Sequence, residues 1–446
     1  VSEPQFSYSL EQLQQMSTEV LAMTRAAGAS AAEAEVSLGT GQNVSVRMGA
    51  TETIEYNRDK GVSITVYFGQ KRGHASSSDL SSQALQDTVN AACNIARYTA
   101  SDDYCGLADP ALMASDIPSL DLHHPWTLTV DEALELAQRT EAAALAVDTR
   151  INNSEGATVS TYEGMFVYAN THGFCAGYPS SRHSLSCSVI AEHEDSMQRD
   201  YWYSTARCAQ DLQAAYHVGR VAGERTVRRL NPRRVKTAQV PVLFEAPLAS
   251  GLISSLISAV SGGNLYRQSS FLLDSLGKTV ASPLLTITEQ PHLPRGLASA
   301  PFDNEGVATT ARTLLDGGVL QGYVLSSYSA RKLGMQTTGN AGGNHNLIVS
   351  HGDLDMTGLL AAMGTGLLVT ELLGHGLNMV TGDYSRGAAG FWVENGVIAY
   401  PVEEITIAGN MRDMLLQIVA IGNDVLTQGS KQVGSILIER MTVAGD

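Results

Sequence analysis

Apolar residues at helical spacing open the chain. Leu10, Leu13, Met16, Val20, Leu21 and Met23 fall on one face, so the spacing predicts a helix over 8–27, closed by Gly28-Ala29-Ser30. From Ala34 to Ala75 the period shortens to two. Val36, Val44, Val46, Ile54, Tyr56, Val62, Ile64 and Val66 alternate with small or polar residues, which predicts an antiparallel meander of about three to five strands. Gly39-Thr40-Gly41, Gly49-Ala50-Thr51 and Asn57-Arg58-Asp59 are its expected turns. Leu85, Val89, Ala92 and Ile95 then mark a helix over 81–99, with Asp79 as its expected cap. After a long connection from Asp102 to Pro125, a helix is predicted from Val130 through Ala146. Strands follow between Ile151 and Tyr203, turning at Asn170-Thr171-His172-Gly173, and then a helix over 210–230, stopped by Asn231-Pro232.

The second half is richer in glycine and in short strands. Strands are expected at Val240–Phe244, Leu285–Thr288, Val307–Thr313, Val319–Leu325, Gly366–Glu371, Gly390–Glu394, Val397–Val402, Glu404–Ala408 and Ser435–Val443. Helices are expected at Ala249–Ser261, Tyr328–Leu333, Met356–Met363 and Arg412–Ala420. The fold class is α+β, with two mixed domains: a sheet-plus-helices unit over 1–232 and a glycine-rich, sheet-dominated unit over 238–446. The basic run from Arg228 to Lys236 reads as a solvated helix end and linker between them.

Composition narrows the function classes. The chain has 446 residues, 43% hydrophobic and 17% charged, which is ordinary for a globular protein. Its net charge of −16 gives no positive field for a phosphate backbone, so no nucleic-acid partner is expected. No apolar run reaches the ~18–20 residues of a membrane span, and Val1-Ser2-Glu3-Pro4-Gln5 carries no signal-peptide pattern. The five cysteines include no C-x-x-C pair, which suits reduced thiols in a cytoplasmic protein.

Most chemical motifs fail on a missing residue. Leu276-Gly277-Lys278-Thr279 lacks the glycine a phosphate loop needs five residues before Gly277, where Leu272 stands. Glu371 and His375 sit in a Glu…Gly-His-Gly stretch, but Thr370 occupies the place of a partner histidine. His193-Glu194 lacks a second histidine, and no G-x-S-x-G elbow exists. Two glycine-rich stretches, Thr337–Asn346 and Thr381–Trp392, could let an extended peptide approach by strand addition. Asn340, Tyr384 and Arg386 within them are the candidate peptide or partner contacts.

These stretches also carry a resemblance. Phe302-Asp303-Asn304-Glu305-Gly306-Val307, Tyr328-Ser329-Ala330-Arg331-Lys332-Leu333-Gly334, Gly382–Ala388, Phe391-Trp392-Val393-Glu394-Asn395-Gly396 and Tyr400–Asn410 resemble the TldD/PmbA family, on its PmbA (TldE) branch. Gly61–Tyr67 and Ala75–Leu80 match the same pattern, so the likeness spans essentially the whole chain. The resemblance implies a heterodimeric zinc peptidase in which a TldD-type subunit carries an HExxxH helix and a cysteine ligand near the C-terminus. This sequence departs at both places. The segment Leu252–Ala259 offers Ser254, Ser255 and Ser258 but no His, Glu or Cys, and no cysteine follows Cys208. The resemblance therefore implies no catalytic residue and no metal ligand or cofactor here, with zinc in a TldD-like partner. The expected function is the non-catalytic subunit of a zinc metalloprotease that processes or degrades unfolded peptides and small labile proteins in the cytoplasm, of the peptide-antibiotic maturation type. A homodimer is possible when the chain is isolated. The alternative is a homodimeric peptide-binding scaffold without activity; a third reading is a self-sufficient hydrolase using Glu371 and His375.

Overall fold

In the N-terminal half, local chemistry sets each element. Ser9 and Gln12 form a capping box that starts α1 (Leu10–Ala26), and Thr129 and Glu132 form another that starts α3 (Val130–Leu145). Between them lie β1 (Ala31–Arg47), β2 (Ala50–Phe68), β3 (Lys71–Ser77) and α2 (Ser82–Tyr98); β4 (Ile151–Asn170), β5 (Cys175–His193), β6 (Ser196–Ala206) and α4 (Ala215–Val227) follow. This computed structural model describes residues 6–445, so the signal-peptide reading of residues 1–5 lies outside them. No helix among the described residues is long and apolar enough to cross a membrane.

The strands form one antiparallel sheet in the order β3-β2-β1-β4-β5-β6. α1 and α2 cover Val36, Leu38, Val62, Ile64 and Val66, while α3 and α4 cover Val44, Val46, Val159, Leu185 and Val189. Two expected turns are absent. Gly39 pairs with Asp59 and Gly41 with Asn57 in mid-ladder, so β1 and β2 continue, with one bulge between Ser45 and Val46, to the turn at Met48-Gly49. The glycines serve a neighbour instead: a Cβ at Gly39 would lie 2.9 Å from the Tyr162 hydroxyl. Helix α2 is capped by Ser81 and not by Asp79, which accepts the Ser81 amide at 2.8 Å. Helix α4 starts only at Ala215, because Gln213 bonds Ser204 Oγ and Trp202 Nε1 and holds the preceding chain against β6.

The C-terminal half contains β7 (Ala238–Phe244), α5 (Ala246–Ala259), α6 (Gly262–Tyr266), β8 (Ile287–Gln290), β9 (Arg312–Asp316), β10 (Val319–Leu320), α7 (Ser327–Lys332), β11 (Asn346–Val349) and α8 (Met356–Met363). β12 (Gly366–Leu373), β13 (Asp383–Glu394), β14 (Val397–Asn410), α9 (Met411–Leu416), β15 (Ile418–Ile421), β16 (Lys431–Gln432) and β17 (Ile436–Ala444) complete it. One sheet runs β14-β13-β12-β7-β17-β15, and an extra β14–β17 pairing curls it back on itself. A second runs β10-β9-β8-β11-β16. Both sheets pack with α5 around one large core that includes Phe244, Ile253, Leu285, Ile287 and Ile438.

Several expected boundaries shift. Val397–Val402 and Glu404–Ala408 are one strand, with Glu404 at φ 55° where the ladder with β13 skips a residue. The helix expected through Ala420 stops at Leu416, and Ile418–Ile421 joins β17. Val307 makes only a bridge to Met113, and the strand begins at Arg312.

The basic run between the halves is solvated at Arg233, Arg234 and Lys236, which are exposed, but turns inward at Arg229. Arg229 is buried against Asp200 and Glu371, and Arg225, just before it, pairs with Asp200 and Glu245. Arg228 lies over the Phe391 ring and Arg233 over Tyr400. The seam between the halves is thus built on Arg225 and on Arg229, a cation that the sequence pattern assigns to water.

Candidate functional site

The resemblance directs attention first to α5. Its apolar face, Leu252, Ile253, Leu256 and Ile257, is buried in the core, as the helical spacing of these residues requires. The hydroxyls of Ser254 and Ser255 satisfy the helix itself. Ser254 Oγ donates to the Ser250 carbonyl at 2.8 Å, and Ser255 Oγ to the Gly251 carbonyl at 3.0 Å. The Ser258 carbonyl accepts from Asn264 Nδ2 at 2.8 Å. Hydroxyls turned back on their own helix are poor zinc donors, for which imidazole, thiolate and carboxylate are the suitable groups. Among the described residues, no three His, Cys, Asp or Glu side chains come together in a metal-binding group. The residues present do not fit zinc.

Glu371 and His375 do not supply a substitute. Glu371 lies on β12 and is ion-paired with Arg229, whereas His375 lies exposed in the turn beyond that strand.

Asn340 belongs to a buried polar cluster. Glu289 is 1% exposed. Its carboxylate accepts from Arg312 Nε at 2.8 Å, Asn340 Nδ2 at 2.8 Å and the His345 amide at 2.7 Å. Asn340 Oδ1 accepts from Arg312 Nη2 at 2.8 Å and Thr338 Oγ1 at 2.7 Å, and its Nδ2 also reaches the Gly343 carbonyl at 3.1 Å. A buried carboxylate needs such partners to offset its lost hydration. Asn340 therefore holds the glycine-rich loop onto β8 and β9 and has no polar capacity left for a peptide.

Next to this loop, Asp303 organises the Phe302–Val307 turn. Its carboxylate accepts the amides of Glu305 (2.9 Å), Val307 (3.0 Å) and Ala341 (2.9 Å). Burial dominates over those donors and pushes its pKa up to about 6. Phe302 carries the turn into an aromatic cluster with Phe166, Phe174 and Tyr178 of the N-terminal half.

Tyr384 and Arg386 lie on β13, which is hydrogen-bonded to β12 on one side and β14 on the other. The stretch read as open to strand addition thus has no free edge in its ordered part. Tyr384 is buried at 4% exposure and is not an accessible hot spot. Arg386 Nη2 donates to the Gly374 carbonyl at 2.6 Å and fastens the β12–β13 turn. The structure places Asn340 in one sheet region and Tyr384 and Arg386 in another.

A feature with no motif of its own lies at the seam. Arg72, His74, Ile95, Asp102, Cys105 and Tyr328 line a cavity of about 470 Å³. They come from β3, α2, the connection after α2, and α7. Only the Tyr328 run stood out in the sequence, because the other residues are distant in the chain and individually unremarkable in type.

Comparison with known proteins adds the following. The chain matches PmbA/TldA metallopeptidase domain 1 over residues 32–96, the central domain over 123–230 and the C-terminal domain over 237–445. The first two matches fall on the same antiparallel sheet. The chain is 52% identical to Metalloprotease PmbA of Escherichia coli O157:H7, covering 93% of this chain and 92% of that one. It is 49% identical to a Metalloprotease PmbA homolog of Haemophilus influenzae, covering 98% and 97%. A TldD homolog of the same organism is more distant, at 23% over 82% and 80%. Among solved structures, a Bacteroides thetaiotaomicron protein named for modulation of DNA gyrase superposes with a TM-score of 0.93 at 29% identity, covering 98% and 99%. TldE from Thermococcus kodakarensis shares the fold, with a TM-score of 0.85 at 18% identity over 96% and 100%.

Proposed function

This chain belongs to the PmbA/TldD metallopeptidase family, on its PmbA branch, and from that premise we propose that it is the non-catalytic subunit of a two-chain zinc peptidase. The observation that carries the reading is the absence, among the described residues, of any metal-ligand set, together with Ser254 and Ser255 on α5, whose hydroxyls are spent on their own helix. The metal and its chemistry belong to a TldD-like partner. The role of this chain is to wall the partner's cleft, so that only unfolded or flexible peptide enters. Cytoplasmic maturation of modified peptides and removal of labile small proteins are the processes this arrangement suits.

The test is zinc content and hydrolysis of an unfolded peptide, for this chain alone and mixed with a TldD-type chain. Stoichiometric zinc and cleavage are expected only in the mixture. Stoichiometric zinc with cleavage by this chain alone would sink the proposal. The mixture with Glu371→Gln/His375→Ala, which keeps a hydrogen-bond acceptor for Arg229, is expected to cleave at the unmodified rate.

A further inference from the structure

The seam cavity plays no part in the reading above, and its chemistry points to a ligand. Its negative group is already engaged. Asp102 accepts from the Tyr328 hydroxyl at 2.8 Å and the Tyr104 amide at 3.0 Å, and lies 3.9 Å from Lys332 Nζ. The Cys105 thiol donates to the Gln70 carbonyl at 3.0 Å. His74 Nδ1 meets Thr65 Oγ1 at 3.2 Å, leaving its Nε2 without a partner among the described residues. The exposed side chain of Arg72 makes no hydrogen bond or ion pair among the described residues. The acid behind it, Glu33, is held by the hydroxyls of Tyr67 (3.1 Å) and Tyr168 (2.8 Å), and burial raises its pKa, so it is a weak counter-charge. One wall is apolar: Ile95 is 48% exposed although it lines the cavity.

An unpaired guanidinium, a free imidazole nitrogen and an apolar wall converge on a space of small-molecule size. A guanidinium binds a carboxylate through charge-assisted, two-pronged hydrogen bonds. We propose that this cavity binds the free carboxylate of a small apolar residue, with Arg72 as the anion partner and Ile95 against the side chain. Such a group is carried by the C-terminal residue of a peptide or by a free N-acylated amino acid. The site is lined by residues of this chain, so it is testable on this chain alone whatever becomes of the pairing.

The experiment is calorimetric titration of the full chain with Ala-Ala-Leu as the free acid, the same peptide as its C-terminal amide, and N-acetyl-leucine. The acid is expected to bind, with the amide about tenfold to a hundredfold weaker, as for loss of one charge-assisted hydrogen-bond pair. Arg72→Gln is expected to cause the same loss and Arg72→Lys a smaller one, with unchanged melting temperatures because Arg72 holds no other residue. Tighter binding of the peptide acid than of N-acetyl-leucine assigns the site to a chain end, and equal binding assigns it to the free residue. Equal binding of acid and amide, undiminished binding by Arg72→Gln, or no binding of either acid would overturn the proposal.

Discussion

At the Asp303 carboxyl two forces oppose each other, since burial favours the neutral acid while three backbone amides favour the anion. Burial wins, and the folded pKa of about 6 stands above the unfolded value near 3.8. The sign follows from proton counting: the folded state holds its proton more tightly, so this group's contribution is complete below about pH 4 and is lost as pH rises through about 6. Asp303→Asn cannot ionise, and it also turns an amide donor toward one of the backbone N–H groups. It should therefore be destabilising at acid pH, by an amount that shrinks by roughly 3 kcal/mol between about pH 4 and about pH 7.5, about two pKa units, so that little of the gap is left at the upper end. Urea unfolding of both proteins at those pH values measures the gap, and a gap that is constant or widens with pH refutes the assignment. Residues of this kind are where the sequence was least informative. The alternation of Val36, Val62, Ile64 and Val66 announces their burial directly. Nothing local announces that Asn340 will meet Glu289, 51 positions away.

Elements were more legible than residues, and the errors at glycine-containing strands share one cause. Glycine and asparagine within β1 and β2 read as turns because those types break isolated strands, yet the neighbouring strands supply hydrogen bonds on a scale no local window registers. The 381–392 stretch shows the same override. Its glycines suggest an open, flexible approach, whereas β13 is an interior strand. Gly390 is small because a Cβ there would lie 1.9 Å from the Leu368 carbonyl oxygen of β12. Gly390→Ala must push the two strands apart and should cost about 1–3 kcal/mol, the usual penalty for overpacking. It should also raise hydrogen exchange at Leu367–Val369, which pair with Phe391–Trp392 and Gly390 in this ladder. Unchanged stability and exchange would mean that the segment is as loose as its composition suggests.

At the scale of the whole molecule, the construction of the seam was not legible in the sequence. A proline and a basic run after a helix mark the 228–236 passage, but a string of arginines in an acidic chain gives no sign that Arg229 turns inward while Arg233 and Arg234 stay exposed. Inward burial requires acids brought from three separate elements: Asp200 on β6, Glu245 before α5 and Glu371 on β12. Arg225 is the joint between two of them. Its guanidinium reaches Asp200 at 3.3 Å and Glu245 at 2.9 Å, with Arg225 at 10% and Asp200 at 4% side-chain exposure. Removing one member of a buried charge group leaves the others desolvated without compensation, at a cost of about 3–5 kcal/mol. Arg225→Ala should lose that much, offset in part by Arg228 and Arg229, which also approach Glu245 and Asp200. The loss should also be local in kind. Amides around Asp200 and Glu245 should exchange faster, while those of β2 and β3, which lie on the far side of the first sheet, keep their protection. Hydrogen exchange resolved by segment distinguishes this from a general weakening. If protection falls uniformly, or if Arg225→Ala is neutral, the seam is held by the Phe302 aromatic cluster and the ion group is incidental to it.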